Sequence, residues 1–82
     1  MIISDQLIIR NIDQQTMIIN LKNGKVTVLD EIGTLFWNSI VNNTSFAEFI
    51  ITMQNRYDVE ESVLKNDYIV FIEKLKDAGI IW

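Results

Sequence analysis

The sequence predicts an α+β domain in which three strands come first and three helices follow. Three observations carry that reading. Residues 7–30 are crowded with β-branched runs, and Asn23-Gly24 stands between two of them as a hairpin signal. From Asp30 onward the apolar residues recur at helical spacing instead.

The first run is Leu7-Ile8-Ile9-Arg10, the second Thr16-Met17-Ile18-Ile19-Asn20-Leu21 and the third Lys25-Val26-Thr27-Val28-Leu29. The polar stretch Asn11 to Gln15 reads as a looser connection between the first two. A type I′ turn needs positive φ at both central residues, which Asn-Gly supplies. A two-residue turn at Asn23-Gly24 sets Lys22 opposite Lys25, Leu21 opposite Val26, Asn20 opposite Thr27 and Ile19 opposite Val28. Ile19, Leu21, Val26 and Val28 then share the face expected to be buried, with Asn20, Lys22, Lys25 and Thr27 on the other. Bonded and non-bonded pairs alternate in an antiparallel ladder. Lys25, Thr27 and Leu29 therefore hydrogen-bond to the second strand, and the N–H and C=O groups of Val26 and Val28 point at a free edge.

Asp30 is a plausible N-cap for a first helix with Ile32, Leu35, Phe36 and Ile40 on its inner stripe, ended by Asn42-Asn43. Trp37 falls off that stripe and is expected under the sheet or the tail. Ser45-Phe46-Ala47-Glu48 is a capping box opening a second helix, with Phe46, Phe49, Ile50, Met53 and Tyr57 inward. A third helix spans roughly residues 60–78, with Leu64, Tyr68, Phe71, Ile72 and Leu75 as its inner stripe and Gly79 at its C-terminal end. Ile80-Ile81-Trp82 is an apolar tail expected to pack back on the body.

Eighty-two residues, 49% of them hydrophobic and 22% charged, suit one globular domain over 1–82, and no linker divides it. With no cysteine and no histidine there is no disulfide, no thiol nucleophile, no imidazole base and no ordinary zinc site, so neither cofactor nor metal is expected. Seven Lys and Arg against eleven Asp and Glu give a charge of −4, which opposes a sequence-independent nucleic-acid binder. No apolar run reaches the ~18 residues of a membrane span, and the N-terminus lacks a signal-peptide pattern, so a cytoplasmic protein is expected.

Catalysis has little to stand on. Ser45 is a cap, and Ser4, Ser39 and Ser62 lie in no nucleophile motif. Asp30-Glu31 and Glu60-Glu61 sit at helix starts, where the macrodipole favours negative charge. The glycines are too far apart for a phosphate loop. Binding is the stronger reading. The third helix carries a second line, Val63, Asp67, Val70 and Lys74, outside its inner stripe. Beside a free strand edge, that line walls a groove suited to an extended peptide added as a strand.

Four segments resemble the coenzyme PQQ synthesis protein D family. They are Leu29-Asp30-Glu31-Ile32-Gly33-Thr34-Leu35-Phe36-Trp37, then Ser45-Phe46-Ala47-Glu48-Phe49-Ile50, then Arg56-Tyr57-Asp58-Val59, and finally Asp67 through Leu75 with Ala78-Gly79-Ile80-Ile81. The resemblance covers residues 16–81, and its ordered series is more specific than any one segment. It implies a winged-helix-like recognition element for ribosomally made, modified peptides, with a three-stranded antiparallel sheet followed by three helices. It also implies a non-catalytic role: binding the leader segment of a precursor peptide beside the third strand and presenting it to a processing enzyme. In free-standing forms that enzyme is a lasso-peptide leader protease, or else a radical-SAM maturase. On this reading the peptide-binding residues are Val26, Thr27, Val28, Leu29 and Asp30 on the edge, and Val63, Asp67, Val70, Phe71 and Lys74 on the helix wall. The rival readings are a DNA-binding winged helix, opposed by the charge balance, and a homodimer joined through its free edges, with Trp37 or Trp82 at the contact.

Overall fold

The computed structural model describes all residues, Met1–Trp82. Three strands, β1 (Leu7–Ile12), β2 (Gln15–Asn20) and β3 (Val26–Leu29), precede three helices, α1 (Glu31–Val41), α2 (Phe46–Arg56) and α3 (Glu61–Asp77). The sheet is antiparallel, in the order β1-β2-β3. The architecture is the α+β arrangement that the change of period predicts.

The first hairpin is tighter than its polar composition suggests. Ile12 pairs with Gln15, leaving Asp13-Gln14 as the turn, with Asp13 at φ 54°. Aspartate tolerates this left-handed conformation better than most residues. The residues read as a loose connection therefore lengthen both strands.

The second hairpin departs from expectation in register and in face. Gly24 has φ 74°, but Asn23 is not in the left-handed region, so no type I′ turn forms. Asn23 acts through its side chain instead, its Oδ1 accepting from the Lys25 N–H at 2.9 Å. The Gly24 N–H donates to the Asn20 carbonyl at 2.7 Å, and the Asn20 N–H donates to the Lys25 carbonyl at 2.9 Å, which closes a longer loop. Ile19 pairs with Val26, Ile18 with Thr27, Met17 with Val28 and Thr16 with Leu29. The expected pairs Lys22–Lys25, Leu21–Val26, Asn20–Thr27 and Ile19–Val28 are thus displaced by two residues.

The buried face is the opposite of the expected one. Thr16, Ile18, Asn20, Thr27 and Leu29 are buried, whereas Val26 and Val28 are 52% and 56% exposed and Leu21 is exposed too. The reason is polar satisfaction at long range. Asn20 Nδ2 donates to the carbonyls of Ala78 (3.0 Å) and Gly79 (3.2 Å), and its Oδ1 accepts from the Lys22 N–H. Thr16 Oγ1 donates to Asn11 Oδ1 at 3.1 Å and also shares a 2.9 Å hydrogen bond with Thr34 Oγ1. A buried polar group costs little once it is paired, so these residues can face the helices.

Asp30 caps α1, its Oδ1 accepting from the Gly33 N–H at 2.8 Å. Ser45 caps α2 through the Glu48 N–H at 3.2 Å, which is one arm of the expected box. Trp37 is buried in the core, in line with the packing expected of it. Phe36 is the hub of an aromatic cluster, with ring centroids 5.1 Å from Phe49, 5.3 Å from Phe71 and 5.7 Å from Tyr68. The tail does fold back. Ile80 and Ile81 are buried, and the Ile2 and Trp82 backbones exchange hydrogen bonds at 2.6 and 2.9 Å while Ser4 N–H donates to Ile80 C=O at 2.8 Å. The tail therefore pairs with residues 2–4 and leaves β3 uncovered. No helix is long and apolar enough to cross a membrane.

Asn20→Ala removes the side-chain donor that reaches the buried Ala78 carbonyl and the part-buried Gly79 carbonyl, and so loosens the β2–α3 junction. It is expected to destabilise the fold by about 1–3 kcal/mol, read as a lowered urea midpoint with an unchanged slope. Wild-type stability would show that Asn20 does not hold the inner face.

Candidate functional site

The site begins with the alternation of bonded and non-bonded pairs between β2 and β3. Asn20 and Lys25 are a bonded pair, so Ile18–Thr27 and Thr16–Leu29 are bonded as well. Ile19–Val26 and Met17–Val28 are then non-bonded pairs, and the amides and carbonyls of Val26 and Val28 point away from β2. The displacement of the register by two residues preserves this alternation. Neither Val26 nor Val28 takes part in any backbone hydrogen bond outside the ladder, so these groups lie open along the outer edge of β3.

Helix α3 runs antiparallel to β3 alongside that edge. Its C-terminal end is tied to the hairpin, where Asn20 and Asn23 both reach the Ala78 carbonyl. Further back, Tyr68 and Phe71 pack on Phe36, beyond the far end of β3. Between edge and helix lies an open cleft of about 380 Å³, with Val28, Leu29, Asp30, Asp67, Val70, Phe71 and Lys74 in its lining.

Seven of the ten residues expected at the site therefore meet in one cleft, and three do not. Val26 is exposed on the outer sheet face and brings only its backbone to the edge. Thr27 is buried on the inner face, with its backbone bonded to β2. Val63 is 46% exposed on α3, one turn before Asp67 and outside the lining. Val70, 65% exposed, is the most accessible apolar residue of the wall, while Phe71 is buried and belongs to the floor.

Sequence reasoning missed Ile32, Gly33 and Phe36, which complete the floor. Ile32 and Phe36 read as ordinary helix core. Gly33 carried a usable signal: a glycine in the first turn of a helix marks a close approach. A Cβ there would meet Asp30 Oδ1 and Leu29 Cβ, both at 3.3 Å. The small residue lets α1 start tight against the end of β3.

The polar groups elsewhere have local duties. Ser39 Oγ donates to the Phe36 carbonyl, Ser4 Oγ accepts from the Gln6 N–H, and Ser45 is a cap. Tyr57 donates to Glu31 Oε1 at 3.0 Å, with Arg56 3.6 Å from the same oxygen. The Tyr57 phenol is raised above the usual tyrosine range by burial, then by the hydrogen bond and charge of Glu31, with Arg56 opposing. Burial alone raises Tyr68. No three acidic side chains converge as a metal site would require.

A family model described as coenzyme PQQ synthesis protein D matches residues 15–81. No curated protein matches the sequence. Among solved structures, TbiB1 in complex with the TbiA(beta) leader peptide superposes with a TM-score of 0.89. The two chains are 22% identical, and the match covers 99% of this chain and 94% of that one. They share the fold.

Proline substitution along β3 reads the alternation directly. Val28→Pro removes an outward N–H and is expected to leave the urea midpoint nearly unchanged. Thr27→Pro removes a ladder bond and is expected to lower the urea midpoint clearly. Equal destabilisation by the two substitutions would mean that the edge is not vacant.

Proposed function

The chain belongs to the coenzyme PQQ synthesis protein D family, and from that premise we propose that it is a non-catalytic recognition protein for the leader segment of a ribosomally made precursor peptide. The observation that carries the reading is the vacant β3 edge beside an apolar cleft. A protein of the same fold, TbiB1, forms a complex with a leader peptide, which supports it.

In this reading a disordered leader adds as a fourth strand along Val26–Asp30. Val26 and Val28 offer two N–H and two C=O groups to its backbone. At about 0.5–1.5 kcal/mol net for each hydrogen bond, the four contribute roughly 2–6 kcal/mol. Ordering the peptide costs about 2–5 kcal/mol, so backbone pairing does little more than offset ordering. Affinity then rests on apolar side chains entering the cleft against Leu29, Val70 and Phe71, at about 1.5–3 kcal/mol for each one fully buried. The ladder tolerates any sequence and the cleft selects among sequences. Val63, further along the same face of α3, extends the wall for a longer leader.

The bound leader is then delivered to a processing or modifying enzyme, with a lasso-peptide leader protease favoured and a radical-SAM maturase next. That role places the protein in the cytoplasm, where such precursors are made. DNA binding has no support on α3, where Glu61, Asp67, Glu73 and Asp77 face Lys65, Lys74 and Lys76 in number and leave no basic helix.

Fluorescence anisotropy with the labelled cognate leader tests the reading. Val28→Pro is expected to weaken binding at least about tenfold, equivalent to 1.4 kcal/mol, with the circular dichroism unchanged. Wild-type affinity in that variant would overturn strand addition. Light scattering distinguishes the rival in which two copies pair edge to edge, since the leader would then split a dimer.

A further inference from the structure

The cleft is electrically polar along its length. Because α3 runs antiparallel to β3, with its C-terminal end tied to the hairpin, Lys74 lies toward the hairpin end of the cleft. Asp67 lies seven residues earlier on the same helix, about 10 Å along the axis, toward Asp30 at the end of β3. Asp30 has one carboxylate oxygen engaged by the Gly33 N–H, which leaves the other free. Asp67 and Lys74 form no ion pair and are exposed, so their charges are free for a guest. Between these two ends the lining is apolar: Leu29, Val70 and Phe71. Lys74 is the one cation of the lining, and Asp30 and Asp67 are its two anions.

From this arrangement we infer that the cleft selects a leader by charge order: a basic residue, an apolar residue and an acidic residue at alternate positions, read from N- to C-terminus. The inference rests on the strand-addition reading and adds to it both the direction of the guest and the chemistry of its side chains. In an added strand, alternate residues face the same side and lie about 6.8 Å apart, so positions i and i+4 span about 13–14 Å. Long side chains at those two positions reach Asp67 and Lys74, while i+2 sits over Val70 and Phe71. Antiparallel pairing is the more stable mode per residue, and it sets the guest's N-terminal side beside Asp30 and Asp67. The basic residue therefore comes first. A parallel guest would need the reverse order. Exposed pairs are individually weak, so the two charges set register and direction while the central apolar residue provides the hold.

The test is selection from a random twelve-residue displayed peptide library on the full chain, with counter-selection on Val28→Pro. Edge-dependent peptides are expected to be enriched in Lys or Arg, an aliphatic or aromatic residue, and Asp or Glu at i, i+2 and i+4. Exchanging the two charges in a selected peptide is expected to weaken binding about tenfold at low salt, and less at 1 M salt. The double reversal Asp67→Lys with Lys74→Glu is expected to invert the enriched order, with circular dichroism confirming that the protein is folded. Edge-dependent peptides without charge order, or an order that the reversal leaves unchanged, would overturn the inference while keeping strand addition. Failure to enrich any edge-dependent peptide would count against strand addition itself, and the inference would fall with it.

Discussion

A strand edge with unpaired amides and carbonyls is unstable company for any soluble chain, and here it is left open. β3 is short, which limits the exposed ladder to the groups of Val26 and Val28. The apolar tail that would be the natural cover is engaged elsewhere, hydrogen-bonded to residues 2–4. The fold thus ties its own two termini together and leaves the outer edge of β3 without a partner. On the proposed reading, the cleft, the free charges and the accessible face of α3 serve a guest strand only because that edge is free.

The floor of the cleft doubles as the hydrophobic core. Leu29, Phe36 and Phe71 are buried, yet they also bound the open space beside the edge. Phe36 packs against rings from α2 and α3 together. A guest side chain resting on these residues meets a surface held from behind by the whole domain. A floor held in this way would need little rearrangement to receive a guest, and preorganisation lowers the cost of binding. Val70 is different: it is exposed and held only by its own helix, so it can change without disturbing the core.

Much of this was legible in the sequence, and the failures have a common cause. Element order followed from the change of period at Asp30, and both helix caps followed from Asp30 and Ser45. The edge parity of β3 was right although the register was not, because a displacement of two residues leaves alternation intact. The buried face of the sheet was misread because Asn20 and Thr16 look like surface residues until their partners are known. Those partners, the carbonyls of Ala78 and Gly79 and the hydroxyl of Thr34, lie far along the chain. Asn-Gly was a true hairpin signal, but Asn23 used its side chain rather than its backbone, and no local rule separates those outcomes. Val63 shares the stripe of Asp67, Val70 and Lys74, yet spacing alone cannot say where a cleft ends.

Amide hydrogen exchange followed by NMR reads the edge one group at a time. In the free protein the Val26 and Val28 amides should exchange at nearly unprotected rates while those of Thr27 and Leu29 are slow, and saturating leader peptide should slow Val26 and Val28 to the rate of their neighbours. Protection of Val26 and Val28 before any peptide is added, or its absence in the complex, would contradict the vacant edge and the recognition built on it.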